Sequence, residues 1–490
     1  MQERLREAVR GQGGTAPVSS PNGHVSRTLF TQPASTAWPV SERRSGKGLT
    51  GRTIERLVQA IRARDRAIAF LLLVVWTVFV ILSRWNSWPQ DLSALYVAGH
   101  LWQSGQGDLV YAAPGASASY AESWAPALHD LGIADKLTFP YLYPPLWLAV
   151  LGPVTTLVSP QGFANAVLLI QMPMLAAMVW CAGRLLRPRA MPLSLWCLIG
   201  LVMLSWTIHA TIAILHNQPT ITVAFLTVLA FATLRDRPGL AGMALALAAA
   251  VKLSPALLAL IFVIDRRWRA LAAFGLVGGG LGLLNLTVGG PAMTVAFLDL
   301  LREINSVVTL APVNTSIRSA LVALAMGRGA GVIMPPGSSA MLYSDVPGWI
   351  GPAVVLAALA LMAAFLRVLR DQPGEVRRYA GLLSFSIIIA LFGPFGWLHY
   401  YVLPLLLLPG LFALYPARVA LPLVLTAMVP ALLPVALKVG ALPWPAADAT
   451  WIACATWLVV LMALYLRLRR TAAGQYFAGT YSSGGSTARS

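Results

Sequence analysis

The sequence predicts an all-α polytopic membrane protein, a bundle of about eleven to thirteen transmembrane helices with one long external loop. Three observations carry that prediction. Of 490 residues, 57% are hydrophobic and only 11% charged; a soluble domain carries roughly 25% charged residues. The apolar residues fall into blocks of roughly 17–25, the length a helix needs to cross about 30 Å of hydrocarbon. One of them, AIAFLLLVVWTVFVILS at 67–83, contains no charge. Inside hydrocarbon the backbone must bond to itself, and the alternation of a barrel strand is absent, so these blocks are expected to be helices.

Composition also excludes function classes. The formal net charge is +18, but the basic residues are scattered at the ends of apolar blocks. That is the signature of cytoplasmic loops rather than of a compact basic domain, so the expected surroundings are membrane lipids and no nucleic-acid partner is expected. Cys181, Cys197 and Cys454 lie in apolar segments at spacings that fit neither a zinc site nor a disulfide framework. No cluster of Asp, Glu and His marks a metal, so no cofactor or metal requirement is evident.

Along the chain, residues 1–50 are rich in Ser, Gly, Pro and Arg with no apolar periodicity, which reads as a disordered basic cytoplasmic tail. No early apolar region suggests a cleaved signal peptide. An amphipathic juxtamembrane helix is expected over 51–66 (TIERLVQAIRARDR from Thr53), its arginines against an anionic leaflet. Arg62, Arg64 and Arg66 then precede the first span, which places the N-terminus in the cytoplasm and the next segment outside. The membrane domain is expected over 67–470, with the first external loop at 84–140. In that loop, 91–103 can form an amphipathic helix with Leu92, Leu95, Tyr96 and Gly99 on one face, able to lie on the outer surface. Further spans are read near 141–158, 162–182, 191–214, 218–234, 239–264, 270–298, 346–367, 378–396, 398–415, 419–437 and 450–466. Segment 239–264 is flanked by arginines at both ends and carries Lys252 and Pro255 near its middle; a hairpin of half-helices and a broken helix facing a cavity both satisfy it. The tail at 471–490 is polar and read as disordered.

Six stretches can carry chemistry. Asp91 follows the first span among aromatic and small residues. It reads either as a solvated loop acid or as a general base whose desolvation raises its proton affinity. YLYPPLW, with Tyr143, opens a span at an interface or shapes a cavity for a lipid-linked substrate. His216, Asn217 and Gln218 open another span, as caps or as hydrogen-bonding partners of a sugar. Lys252 sits in an Ala- and Leu-rich run, where insertion costs on the order of 2.5–3.5 kcal/mol; it snorkels or pairs with an anion such as a phosphate. Asn314 and Ser316 suit a helix start, and Arg318 one turn in suggests an anion site. In FGPFGWLHYY, Trp397 and His399 follow a glycine–proline break, as part of an aromatic belt or as donors to a phosphate or hydroxyl.

The order DLSALYVAGHLWQSG, YLYPPL, HNQPTIT, LAGMALALAAAVKLSPALL with DRRWR after it, VNTSIRSAL and FGWLHYYVLPLLL resembles the polyprenol-phosphate-sugar-dependent glycosyltransferases of family 87, within the GT-C superfamily. The resemblance covers roughly 85–415. It implies a GT-C-type bundle and an integral-membrane, inverting transfer of a sugar, mannose by family default, from a polyprenyl-phosphate donor to a lipid-linked or glycan hydroxyl acceptor. Asp91 matches the family's catalytic acid position. Lys252, Arg318 and His399 are the implied donor-phosphate partners; Tyr96, Tyr143, His216, Gln218, Asn314 and Trp397 are the implied substrate contacts. The family carries Gly-Gln where this chain has His216–Gln218, and often an acidic or polar residue where Leu398 stands. The implied location is the inner (plasma) membrane with the site facing outward. The rival reading is a transporter or flippase of lipid-linked sugars, though no internal repeat is visible and the charges stand mostly at span ends.

Overall fold

The computed structural model describes residues 49–112, 122–311, 313–326, 342–440 and 446–483, and the account below concerns these. By its own contacts the chain divides into Met1–Leu57, described only where the first helix begins, and Val58–Ser490. The expected tail at 1–48 and the last residues, 484–490, lie outside the described residues.

Helix α1 (Leu49–Arg84) runs without a break. The juxtamembrane helix and the first span are therefore one element, because no Gly or Pro interrupts the turns between them. The segment after α1, expected to be an external loop, holds α2 (Gln90–Gln103) and the short α3 (Ala125–Asp130). After YLYPP come α4 (Leu148–Leu157), α5 (Pro160–Leu185), α6 (Leu193–Trp206), α7 (Ile208–Leu215), α8 (Thr220–Thr233), α9 (Pro238–Val251), α10 (Ala259–Ile264) and α11 (Trp268–Ser306). Strand β1 (Val307–Leu310), α12 (Ile317–Ala325) and strand β2 (Leu342–Asp345) follow. The chain ends in α13 (Ile350–Arg370), α14 (Gly374–Phe392), α15 (Val402–Leu407), α16 (Leu411–Leu414), α17 (Ala417–Ala431), α18 (Leu433–Gly440) and α19 (Ala446–Ser483). α19 continues beyond Leu466, the expected end of the last span, and beyond Arg470, the expected end of the membrane domain: a formed helix extends at low cost.

Among the described residues, five helices are long and apolar enough to cross a membrane, within α1, α5, α11, α13 and α19. The bent pair α7–α8 makes a sixth, and six shorter apolar helical segments accompany them. The all-α membrane bundle is as expected, but several expected spans are broken. Segment 191–214 divides at Thr207, whose backbone is extended (φ −107°, ψ 142°). α7 and α8 meet at 118° across His216–Pro219. α11 kinks at Gly290 (φ 68°), just before Pro291, where a side chain would strain a left-handed backbone and proline removes a helix hydrogen bond. The antiparallel pair β1–β2, with Val307 opposite Asp345, was not foreseen; four-residue strands leave too little alternation to read.

Three apolar cores organise the bundle. The largest joins α1, α5, α6, α8, α14, α15 and α19 around residues such as Phe231, Phe262, Tyr379 and Leu407. The second joins α2, α3 and α4 to Phe297 and Leu300 of α11. The third backs β1, α12 and α13. α2 is buried on most sides, not laid on a surface. It packs on α4 so closely that a Cβ at Gly99 would stand 2.8 Å from Leu151. Polar ties hold helix ends. Asp65 of α1 accepts from the Leu193 and Ser194 N–H groups, both at 2.8 Å, and caps α6. Buried Asp265 pairs with Arg377 at 2.8 Å and Arg267 at 3.0 Å. Arg377 also donates to the carbonyls of Leu369, Arg370 and Gln372 at the end of α13.

Candidate active site

The site begins at a helix end. α9 stops at Lys252, whose backbone is extended (φ −139°, ψ 129°), and a short 3-10 turn with Pro255 follows. The helix is therefore interrupted, and Lys252 stands at the break. Its ammonium donates to Thr220 Oγ1 at 2.7 Å and to Tyr400 Oη at 3.3 Å. It lies 4.5 Å from the Tyr400 ring centre and 6.0 Å from that of Tyr143. Among the described residues no carboxylate forms an ion pair with it. Hydroxyls and aromatic faces thus hold this cation while its charge stays unneutralised.

Asp91 is the second residue of α2. Its helix is pinned at the first turn: Phe139 N–H donates to the Gln90 carbonyl at 3.4 Å, and Ser93 Oγ donates to Thr138 Oγ1 at 3.2 Å. Further along, Tyr96 Oη donates to the carbonyls of Val158 at 2.6 Å and Thr155 at 3.1 Å. Asp91 is partly exposed. Burial pushes its carboxyl up to about 7, against the opposing pull of Lys252. No hydrogen bond engages this carboxylate among the described residues, so its oxygens are free to accept a proton.

YLYPPLW forms the wall between the two charges. Tyr143 is buried, lies within electrostatic range of Asp91 and Tyr400, and has its carbonyl held by Tyr111 Oη at 2.7 Å. The Leu146 N–H donates to Asn285 Oδ1 at 2.8 Å, and Trp147 Nε1 to the Ala250 carbonyl at 2.9 Å, two residues before Lys252. A Cβ at Gly289 would meet Pro145 at 2.6 Å, so the glycine lets α11 close on this wall.

A clasp of two loops supports the opposite side. Thr315 N–H donates to the Gly396 carbonyl at 2.7 Å, and Leu398 N–H to that of Val313 at 3.1 Å. The Gly396 N–H donates to Asn314 Oδ1 at 2.8 Å, and Asn314 Nδ2 to the Thr309 carbonyl of β1 at 2.8 Å. Tyr401 Oη donates to the Thr315 carbonyl at 2.5 Å. This clasp sets the turn that presents Trp397, His399 and Tyr400. Trp397 stacks on Phe395 with ring centres 5.4 Å apart. His399 packs edge-on to Tyr400 at 4.6 Å, within electrostatic range of Lys252 and His216.

The structure therefore brings Asp91, Tyr143, Lys252, His216 and His399 into one neighbourhood, with Thr220 and Tyr400 added. Gln218 lies on the same turn as His216 and is buried. Tyr96 and Asn314 stand behind the site, their polar atoms engaged with backbone. Arg318 is buried and donates to Asn305, through both its side chain and its carbonyl. Sequence reasoning missed Thr220 and Tyr400; the one signal was the adjacency of each to a motif already singled out, HNQPT and WLHY.

Comparison with known proteins places these residues in a family. The chain is 29% identical over 285 residues to the polyprenol-phosphate-mannose-dependent alpha-(1-2)-phosphatidylinositol pentamannoside mannosyltransferase of Mycolicibacterium smegmatis. That match covers 56% of this chain and 62% of the relative, less than two thirds of its length. No solved structure matches the chain. The family model for glycosyltransferase family 87 matches residues 141–394, a segment that contains Tyr143, His216, Gln218, Lys252, Asn314 and Arg318 and leaves Asp91 before it and Trp397 and His399 just after it. With half of its length under that match, the chain belongs to glycosyltransferase family 87.

Proposed function

We propose that this protein is an inverting membrane glycosyltransferase that moves a sugar, mannose in the first instance, from a polyprenyl-phosphate carrier to a hydroxyl of a lipid-linked or glycan acceptor. The site faces the outer side of the plasma membrane and the N-terminus lies in the cytoplasm. Family membership and the mannose-dependent relative support the donor class. The observation that carries the reading is a carboxylate raised to about 7, within electrostatic range of a lysine, where among the described residues the carboxylate has no hydrogen bond and the lysine no close ion pair.

Asp91 removes the proton from the acceptor hydroxyl as that oxygen attacks the anomeric carbon. The bond from that carbon to the phosphate oxygen breaks, and the electron pair leaves with the polyprenyl phosphate. Lys252 meets the charge gathering on the departing phosphate, with His399 beside it, and a preorganised cation is worth most there because it need not reorient. Tyr143, Thr220 and Tyr400 keep that cation in place. One displacement inverts the anomeric centre.

The test is transfer of radiolabelled mannose from polyprenyl-phosphate-mannose by the purified chain in nanodiscs, with the anomeric configuration of the product read by NMR. Asp91→Asn is expected to abolish transfer. The broken helices at Lys252 and at His216–Pro219 also suit a flippase. Movement of the intact lipid-linked sugar across sealed vesicles without a new glycosidic bond would establish that alternative instead.

A further inference from the structure

The turn between α7 and α8 carries polar atoms that the mechanism above does not use. His216 Nδ1, Asn217 Oδ1 and Gln218 Oε1 are all buried and lack a hydrogen-bond partner among the described residues. Asn217 and Gln218 are 3% and 4% exposed, so water does not freely satisfy them, and such groups are costly unless something pairs with them. The orientation of Asn217 is decided by chemistry: its Nδ2 donates to the Ala164 carbonyl at 3.1 Å, which leaves Oδ1 as an acceptor. Its backbone is left-handed (φ 43°), a conformation that asparagine tolerates better than most residues.

The position of the turn is equally defined. The His216 ring lies edge-on to Phe139 with centres 6.5 Å apart, and Phe139 N–H holds the Gln90 carbonyl, one residue from Asp91. At its other end the turn leads into Thr220, which holds Lys252. The turn thus links the segment that holds the start of α2, next to Asp91, with the residue that holds Lys252. In the proposed reaction the transferred sugar occupies that interval, between the attacking oxygen at Asp91 and the leaving phosphate at Lys252.

Resting on that reaction, we infer that the His216–Gln218 turn is the specificity element for the donor sugar and pairs with two or more of its ring hydroxyls. Chemistry selects this ligand class. A phosphate offers only acceptors near neutral pH and repels Asn217 Oδ1. A hydroxyl both donates and accepts, so it pairs with an amide oxygen and with either tautomer of an imidazole nitrogen. Three such atoms in three consecutive residues call for a polyol. The site is therefore divided: Lys252 recognises the carrier phosphate common to all donors, and the turn distinguishes one sugar from another.

The test uses the full chain in nanodiscs and polyprenyl-phosphate donors bearing mannose or its 2-, 3- and 4-deoxy forms, with kcat/KM measured for each. The unaltered chain is expected to lose about tenfold or more on at least one deoxy donor, because a buried group built to pair with a hydroxyl is left unpaired. Gln218→Leu or His216→Ala is expected to slow the natural donor and flatten the differences among donors. Lys252→Met should slow all donors by a common factor. Equal kcat/KM for every deoxy donor on the unaltered chain overturns the inference, and that arm needs no variant to fold. A Gln218→Leu chain that is slower by one factor on all donors also overturns it, while leaving the transferase reading intact. No transfer from any donor removes both.

Discussion

Replacement of Asp91 by asparagine should make the protein more stable while abolishing its activity, and the size of the gain depends on pH. The carboxyl titrates near 3.8 when free and is pushed up to about 7 by burial in the folded protein. At about 1.4 kcal/mol for each unit, keeping it ionised in the fold costs about 4 kcal/mol. Below pH 3.8 the group is protonated both folded and unfolded, and nothing is lost. Between that value and about 7 the unfolded chain ionises while the folded chain still holds its proton, so stability falls as pH rises. Above about 7 the whole cost is present. Asparagine has the same shape and no charge. In nanodiscs, unfolding followed by tryptophan fluorescence should show Asp91→Asn more stable than the parent by up to about 4 kcal/mol at pH 8. The difference should shrink steadily toward pH 4. Sugar transfer by the same preparations should be lost. A variant no more stable than the parent at pH 8 would show the carboxylate to be satisfied in the fold, and the base assignment would lose its physical ground; retained transfer would end it directly.

Three further outcomes follow from the same structure. The parent should lose kcat/KM as pH falls through about 7, since the base must be ionised; Lys252→Met should move that limb to higher pH, because the ammonium holds the Asp91 carboxyl down. Gly396→Ala should break the loop clasp, for its Cβ would lie 2.0 Å from the Thr315 carbonyl oxygen. A loss of about 1–3 kcal/mol in unfolding measurements is expected, with turnover falling further because His399 and Tyr400 ride on that turn. Asp65→Ala should cost about 0.5–2 kcal/mol, the range for a lost helix cap, and leave the pH profile of transfer unchanged. Among the described residues its hydrogen bonds go to Leu193 and Ser194, at 2.6–2.8 Å.

Part of the candidate site is legible in the sequence, and the residues show why. Asp91 and Lys252 were conspicuous because ionised groups are costly next to hydrocarbon, so each stands out against its own neighbours. Asn314 and Tyr96 could be marked but not interpreted. The partner atoms that define them, the Gly396 N–H and the Val158 carbonyl, belong to backbone far along the chain. Thr220 and Tyr400 are ordinary residues in their own segments and become functional candidates only through Lys252. The breaks were half legible: Pro255 and Gly290–Pro291 announce an interruption, yet the bend of 118° at His216–Pro219 is a matter of packing.

By itself the sequence determined the solvent of this protein and therefore its secondary structure: apolar blocks in lipid have no choice but to be helical, since hydrocarbon offers the backbone no other partner. It also determined which few charges had to have a purpose. Tertiary structure alone decided which of those charges meet. Asp91, from the segment after the first span, and Lys252, from a broken helix, are joined by the wall of Tyr143 and by packing across two apolar cores. Such long-range packing carries no local periodicity, so no segment of the chain announces it.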